Sequence, residues 1–93
     1  MSIMMISEVA GQTAEGYDQL FATVGAALSA APGFVVHSSH PTDSGWRVVE
    51  IWDSREDAGR FFAEHIAPHL PEHIRPKLTF EPLHDVLAAD KTG

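Results

Sequence analysis

The apolar residues of this chain alternate between spacings typical of strands and of helices. Residues 3–9 form a compact apolar run, as in a strand with both faces covered. Gly11 breaks this run, and Thr13 is placed to cap a helix. That helix carries one apolar stripe, formed by Tyr17, Leu20, Phe21, Val24 and Leu28. It is expected to end at residues 31–33, since proline cannot continue a helix and glycine tolerates the reversal.

An antiparallel hairpin is predicted next. Residues 34–40 and 46–52 have the composition of strands, and the polar segment 41–45 has the length of a hairpin loop. If His40 pairs with Trp46, one face of the hairpin carries both tryptophans, with Phe34, Val36, Ser38, His40, Trp46, Val48, Glu50 and Trp52. The other face carries Val35, His37, Ser39, Arg47, Val49 and Ile51. We expect the smaller, branched set to pack under helices and the bulky set to form an interface between two sheets. A single β-bulge would exchange this correspondence.

A second helix is predicted after the hairpin. Ser54, with Asp57 three residues later, forms the capping pattern that opens a helix. The helix is expected to run from residue 55 to about residue 67, because Pro68 removes a backbone donor. A further short helical turn is expected to begin at Pro71, since proline suits the first position of a helix.

The last strand completes a recognisable order of elements. Residues 77–86 are predicted to form an edge or bulged strand, because Pro82 interrupts them. Residues 90–93 are expected to be a loose tail. The order β-α-β-β-α-β is the ferredoxin-like arrangement of an α+β protein, within one domain over residues 1–93. Helices on one side would leave the other sheet face bare, and two such sheets packed face to face would cover it.

Composition limits the function classes. Ninety-three residues hide only about 60–65% of their unfolded surface, and the hydrophobic content is 44%, so oligomerisation is the expected source of further burial. The chain has no cysteine, which excludes a disulfide, a thiol nucleophile and a thiolate metal site. Its net charge of −7 argues against nucleic acid and anionic membrane surfaces as partners. No apolar run approaches the ~20 residues of a membrane span, and no signal peptide is recognisable, so a cytoplasmic protein is expected.

The junction between the third strand and the second helix carries a family resemblance. The strand ends in the triplet Trp52-Asp53-Ser54, and the helix that follows carries His65 near its end. This junction resembles the antibiotic biosynthesis monooxygenase-like family of the dimeric α+β barrel superfamily, and the element order agrees over nearly the whole chain. The resemblance implies a homodimer, no cofactor, and a cleft between sheet and helices that holds a small aromatic or hydrophobic ligand.

Histidines are the main candidates for catalysis. His37 is a polar residue in an apolar strand, and an imidazole with a pKa of about 6.5 can take a proton from a phenol or an activated C–H group. The family's cleft would place His37 and Arg47 opposite the helix that carries His65, the second candidate catalytic residue. The expected substrate-binding residues are Arg47, Trp52, Phe62, His69 and His84. Trp52 would either close the cleft or lie in the dimer interface. The alternative for His37 is a hydrogen-bonded structural histidine, and for His65 and His69 a hydrated helix end.

A metal site is not expected. His65, His69 and His73 have a spacing that would suit metal ligands on one helix face. Pro68 and Pro71 break the helix that would have to align them. Glu50 is expected to pair with a basic residue across the hairpin or across a dimer.

Three functions are compatible with this sequence. The resembled family includes cofactor-free oxygenases that turn aromatic polyketide hydroquinones into quinones, which implies a cofactor-independent monooxygenase for a small electron-rich aromatic compound. A non-oxidative cyclase or isomerase of the same fold could use His37 or His65 as its acid or base. The third alternative is a non-catalytic protein that binds a small ligand.

Overall fold

The computed structural model describes residues 1–89 and contains a four-stranded antiparallel sheet with strand order β2-β3-β1-β4. The predicted ferredoxin-like order is confirmed, and no helix within the described residues is long and apolar enough to cross a membrane. The expected tail over residues 90–93 lies outside the described residues. In chain order the elements are β1 (Ile3–Ala10), α1 (Ala14–Ser29), β2 (Phe34–Pro41), β3 (Gly45–Trp52), α2 (Arg55–Phe61) and β4 (Lys77–Pro82).

Both helices pack on the sheet face that carries the tryptophans. Trp52 is 0% exposed and lies at the centre of a core that also contains Met5, Leu28, Ala58 and Phe61. Its ring centroid lies 5.5 Å from that of Phe34 and 5.7 Å from that of Phe61. The expectation that the bulky hairpin face forms a sheet-to-sheet interface is therefore wrong.

The turn between β2 and β3 determines which residues of the two strands share a face. Thr42 and Gly45 exchange backbone hydrogen bonds of 2.9 and 3.3 Å, so only two residues form the tip, in place of the expected five-residue loop. As a result His40 lies opposite Arg47, and the expected pairing of His40 with Trp46 is wrong by one residue. Because side chains alternate between the faces of a strand, this shift exchanges the face of β2 relative to β3.

A bulge then corrects the register at the other end of the hairpin. The pairing shifts between Phe34 and Val36, which leaves one extra residue in β2. Between the turn and the bulge, His37 lies directly opposite Glu50, and both side chains lie on the face covered by the helices. Arg47 follows the opposite alternation and lies on the uncovered face.

The second helix is also less regular than predicted. α2 ends at Phe61 and continues as a π-helical turn, Phe62–Ile66, and a 3₁₀ turn, Ala67–His69. In a regular helix the ring of Pro68 would clash with the carbonyl group four residues earlier. A wider turn ahead of the proline is consistent with relief of that clash, and π-turns occur often at functional sites.

Two elements near the end are shorter than predicted. At Pro71 there is a single turn, in which the Ile74 N–H donates to the Pro71 carbonyl at 3.0 Å, and no helix follows it up to residue 89. β4 is an edge strand, as predicted, but it ends at Pro82 and does not reach residue 86. Pro82 lies opposite Ile3, the first residue of β1, so β4 has no paired strand beyond that point.

Candidate functional site

An apolar cleft lies between the sheet and the helices. The empty space between its walls is about 690 Å³, a figure that includes open solvent at the mouth. α1 supplies one wall with its predicted apolar stripe, and Thr13 caps this helix by accepting a hydrogen bond from the Gly16 N–H at 3.0 Å. The sheet supplies the floor with Met5, Ser7, Val9, His37, Trp46, Val48 and Glu50. The far side is closed by Ala58 and Phe61 of α2 and by Phe62 and Ile66 of the π-helical turn.

Aromatic rings line one side of this cleft. The Tyr17 ring stacks on Trp46 with centroids 5.1 Å apart, and on Phe21 at 5.7 Å. The His37 ring lies 5.0 Å from Phe21. The Trp46 indole N–H is buried, and it has no hydrogen-bond partner within the described residues. Stacked rings of this kind suit a flat aromatic ligand.

Four polar side chains from α1, β2 and β3 form a continuous hydrogen-bonded series. The Tyr17 hydroxyl lies 2.6 Å from His37 Nε2, and His37 Nδ1 lies 2.6 Å from Glu50 Oε2. The Trp52 indole N–H donates to the other Glu50 oxygen at 2.9 Å. The side chains of His37 and Glu50 are only 14% and 8% exposed. We refer to the first three residues as the Tyr17–His37–Glu50 chain.

The partners of Glu50 define the roles of the His37 nitrogens. An ionised carboxylate only accepts hydrogen bonds, so His37 Nδ1 must carry the proton that is donated to Glu50. His37 Nε2 then has a free lone pair, which accepts the hydrogen bond from the Tyr17 hydroxyl. A buried carboxylate is costly unless it is paired, and here the imidazole and the indole of Trp52 both donate to it. A base held by a third group in this way is the arrangement seen in catalytic triads.

Tyr17 is held in its neutral form. Burial raises the pKa of Tyr17 above its ordinary value, and the negative charges of Glu50 and Asp18 raise it further. The neighbouring Ser39 hydroxyl acts on this pKa in the opposite direction. Near neutral pH the phenol is therefore protonated and can donate to His37.

The structure brings two of the predicted site residues into the cleft and a third just behind it. His37 and Phe62 line the cleft. Trp52 is fully buried inside the protomer, so it neither closes the cleft nor lies in an interface between protomers. Its indole N–H donates a hydrogen bond to Glu50, which makes Trp52 a positioning residue for the site.

Arg47 lies elsewhere. It is on the uncovered face of the sheet, where it forms an ion pair with Glu8 and approaches His40 Nε2 at 3.4 Å. The expectation that Arg47 lies at the cleft is wrong, because the two-residue hairpin turn reverses the face assignment of β3.

The remaining predicted histidines are dispersed. His65 stacks on Phe61 with centroids 4.8 Å apart, but it is not among the residues that line the cleft. His69 lies in a separate, more polar groove beside α1, and His84 is exposed beyond the end of β4. Within residues 1–89, no three histidine, aspartate or glutamate side chains are grouped as ligands for a metal ion.

Tyr17 and Glu50 are absent from the predicted site residues. Glu50 pairs with a basic residue across the hairpin, as expected, but the expected register placed it on the opposite face from His37. Tyr17 belongs to the apolar stripe of α1, and its hydroxyl is the only polar group in that stripe. A polar group on a helix face that covers a sheet is the signal that could have identified it, since a buried hydroxyl needs a partner.

Comparisons with known proteins support the fold. No family model matches the chain, and no curated protein matches it. SnoaB, a cofactor-independent oxygenase from Streptomyces nogalater, matches with a TM-score of 0.69 at 16% identity, over 95% of this chain and 98% of SnoaB. A point variant of SnoaB gives the same TM-score at 18% identity and the same coverage. A proposed antibiotic biosynthesis monooxygenase from Bacillus cereus has a TM-score of 0.51 at 17% identity, over 98% of both chains. The chain therefore has the fold of the antibiotic biosynthesis monooxygenase-like proteins, as the resemblance in its sequence implied.

Proposed function

We propose that this protein is a cofactor-independent oxygenase that acts on a small, electron-rich aromatic compound bound in the cleft. The observation that carries the proposal is the position of the Tyr17–His37–Glu50 chain, which reaches an otherwise apolar, aromatic-lined cleft. The fold is shared with SnoaB, a cofactor-independent oxygenase, which supports the same class of reaction.

The proposed reaction begins with a proton transfer. The Tyr17–His37–Glu50 chain accepts a proton from a phenol or an activated C–H group, and Glu50 stabilises the imidazolium that forms on His37. The apolar walls exclude water from the resulting substrate anion. That anion is electron-rich enough to be oxidised by O₂. One oxygen atom enters the product, and the other leaves as water with two hydrogens of the substrate, so RH₂ and O₂ give RO and H₂O.

A non-oxidative isomerase or cyclase is the second candidate. Tyr17 donates a hydrogen bond and His37 Nε2 accepts it at 2.6 Å, so an acid and a base lie side by side. Such a pair can remove a proton from one atom of a substrate and return it to another. This reaction would use the same cleft and require no O₂.

Oxygen consumption with product mass distinguishes these candidates. The wild-type protein is incubated with an anthrone, whose CH₂ group becomes C=O in the proposed reaction, and the same mixture is kept under argon as the control. Uptake of O₂ with a product heavier by one oxygen and lighter by two hydrogens is the expected result. Conversion of the substrate under argon would instead favour the isomerase or cyclase. Quenching of tryptophan fluorescence without any conversion would indicate a binding protein and contradict the proposed oxygenase.

We also propose that two protomers pair through the uncovered faces of their sheets. The middle of that face is apolar and stays partly exposed in one protomer, with Met4, Ile6, Val36, Val49 and Ile51. A chain of 93 residues buries too little surface to leave such a face in water without a cost.

Light scattering coupled to size exclusion tests this dimer. Wild type is expected at about twice the 10.1 kDa chain mass. Ile51→Lys should shift the mass to that of a single chain, because it places a charge on the proposed interface of each protomer. Ala22→Lys, on the exposed side of α1, is the matched control and should stay dimeric. A wild-type monomer would refute the proposed pairing.

A further inference from the structure

We propose that Tyr17 is the residue that exchanges the proton with the substrate, and that His37 receives this proton through Tyr17. This inference rests on the proposed function and names the group that contacts the substrate. His37 has no unoccupied nitrogen in the structure, since Nδ1 is bonded to Glu50 and Nε2 to the Tyr17 hydroxyl, both at 2.6 Å. A substrate that approaches the Tyr17–His37–Glu50 chain therefore meets the phenol oxygen of Tyr17 first.

The transfer balances as two coupled proton movements. A substrate O–H or C–H group gives its proton to the Tyr17 oxygen while the Tyr17 proton moves to His37 Nε2. Tyr17 ends neutral, His37 ends as an imidazolium beside Glu50, and the substrate carries the new negative charge. No electron leaves or enters the protein in this step. The reverse movement returns a proton to the substrate, so the same chain can serve as base and as acid.

The surroundings of Tyr17 favour this coupled path over a free tyrosinate. Burial and the negative charges of Glu50 and Asp18 disfavour the anion of Tyr17. Transfer of the two protons together avoids that anion. The ring is held between Trp46 and Phe21, at centroid distances of 5.1 and 5.7 Å, which keeps the hydroxyl directed at His37.

The alternative is that Tyr17 only blocks His37 until a substrate displaces it. Tyr17→Phe distinguishes the proton-transfer role from the blocking role, because it removes the hydroxyl and retains the ring. If Tyr17 transfers the proton, Tyr17→Phe should lower kcat by about 10²–10⁴-fold with a much smaller change in KM. If Tyr17 is a block, the variant frees His37 Nε2, and kcat should be unchanged or higher. That second outcome would overturn the inference.

A binding experiment tests the same step without any oxygenase activity. We would titrate each protein with 4-nitrophenol, whose anion is coloured, and follow its absorbance against pH. Wild type should lower the apparent pKa of the bound nitrophenol, because the chain accepts its proton. Tyr17→Phe and His37→Gln should both lose this effect. Phe62→Leu, which changes the opposite wall of the cleft but no proton carrier, is the control and should weaken binding while it retains the effect.

The two experiments together distinguish the inference from the proposed function. A Tyr17-dependent ionisation of nitrophenol without O₂ uptake would refute the oxygenase and keep the proton path. O₂ uptake by wild type with full activity in Tyr17→Phe would keep the oxygenase and refute the path. Failure of wild type to bind nitrophenol would also refute the path, since a phenol must reach Tyr17. Thermal unfolding confirms that each variant is folded. Tyr17 is the chain's only tyrosine, so tyrosinate absorbance reports on Tyr17 itself in the variants that retain it.

Discussion

His37→Gln is expected to lower turnover of a confirmed substrate by about 10²–10⁴-fold, the usual contribution of a general acid or base. Glutamine is chosen because its amide N–H can still donate to Glu50, so the buried carboxylate is not left without that partner. It has no group that accepts a proton near neutral pH. The loss should therefore appear in kcat with little change in the far-ultraviolet circular dichroism.

Glu50→Gln should produce a comparable loss through a different route. The amide oxygen can still accept from the Trp52 indole, but the amide nitrogen donates to His37 Nδ1. That donation places the remaining imidazole proton on Nε2, where it points at Tyr17 and leaves no acceptor for a substrate proton. Glu50→Gln keeps the shape of this side chain, removes its negative charge and reverses the direction of its hydrogen bond to His37.

Steady-state kinetics over a range of pH, with unfolding curves for each variant, check both expectations. His73→Gln is the matched control, because His73 is exposed and is not among the residues that line the cleft. It should leave kcat within about twofold of wild type, since surface substitutions have small effects. A kcat of His37→Gln equal to that of wild type would show that the Tyr17–His37–Glu50 chain is not the acid-base group.

Local signals in the sequence were sufficient for the elements of this fold. Thr13 and Ser54 cap their helices as predicted, because a cap depends on a hydrogen bond only three residues away. The helical stripe that includes Tyr17 identified the buried side of α1, since helical periodicity is also local. The element order, and with it the ferredoxin-like fold, followed from these signals.

The site depended on a feature that is not local. Whether His37 faces Glu50 is decided by the number of residues in the hairpin turn, and a difference of one residue exchanges the faces. The composition of residues 41–45 is compatible with a two-residue or a five-residue loop. The same ambiguity placed Arg47 in the cleft, whereas it lies on the other face of the sheet. His37 was identified because a polar residue in an apolar strand is a signal that does not depend on register.

Trp52 connects the centre of the core to the Tyr17–His37–Glu50 chain. Its ring fills the centre of the core, and its indole N–H supports the carboxylate that orients His37. Packing and hydrogen bonding at this residue can be separated experimentally, because phenylalanine retains an aromatic ring and removes the N–H. Substitution at this position therefore tests whether the core holds the site in its active geometry.

Trp52→Ala is expected to destabilise the protein by about 3–5 kcal/mol, the usual cost of truncating a fully buried aromatic side chain. Small domains have a total free energy of unfolding of about 5–15 kcal/mol, so much of the variant should be unfolded at 37 °C. Urea unfolding followed by circular dichroism, with a common m value, measures the change. A loss below about 1 kcal/mol would show that Trp52 does not hold the core together.

Comparison of Trp52→Phe with Trp46→Phe measures the contribution of the hydrogen bond from the Trp52 indole to Glu50. Trp52→Phe leaves Glu50 without one of its donors, which should cost about 1–3 kcal/mol and lower kcat as His37 loses its orientation. Trp46→Phe removes an indole N–H that is buried without a partner within the described residues, so it should cost less. Trp52→Phe combined with Glu50→Ala should show an interaction energy, because each substitution removes the one hydrogen bond that the two side chains share. Additive effects on stability and kcat would mean that Trp52 contributes packing alone.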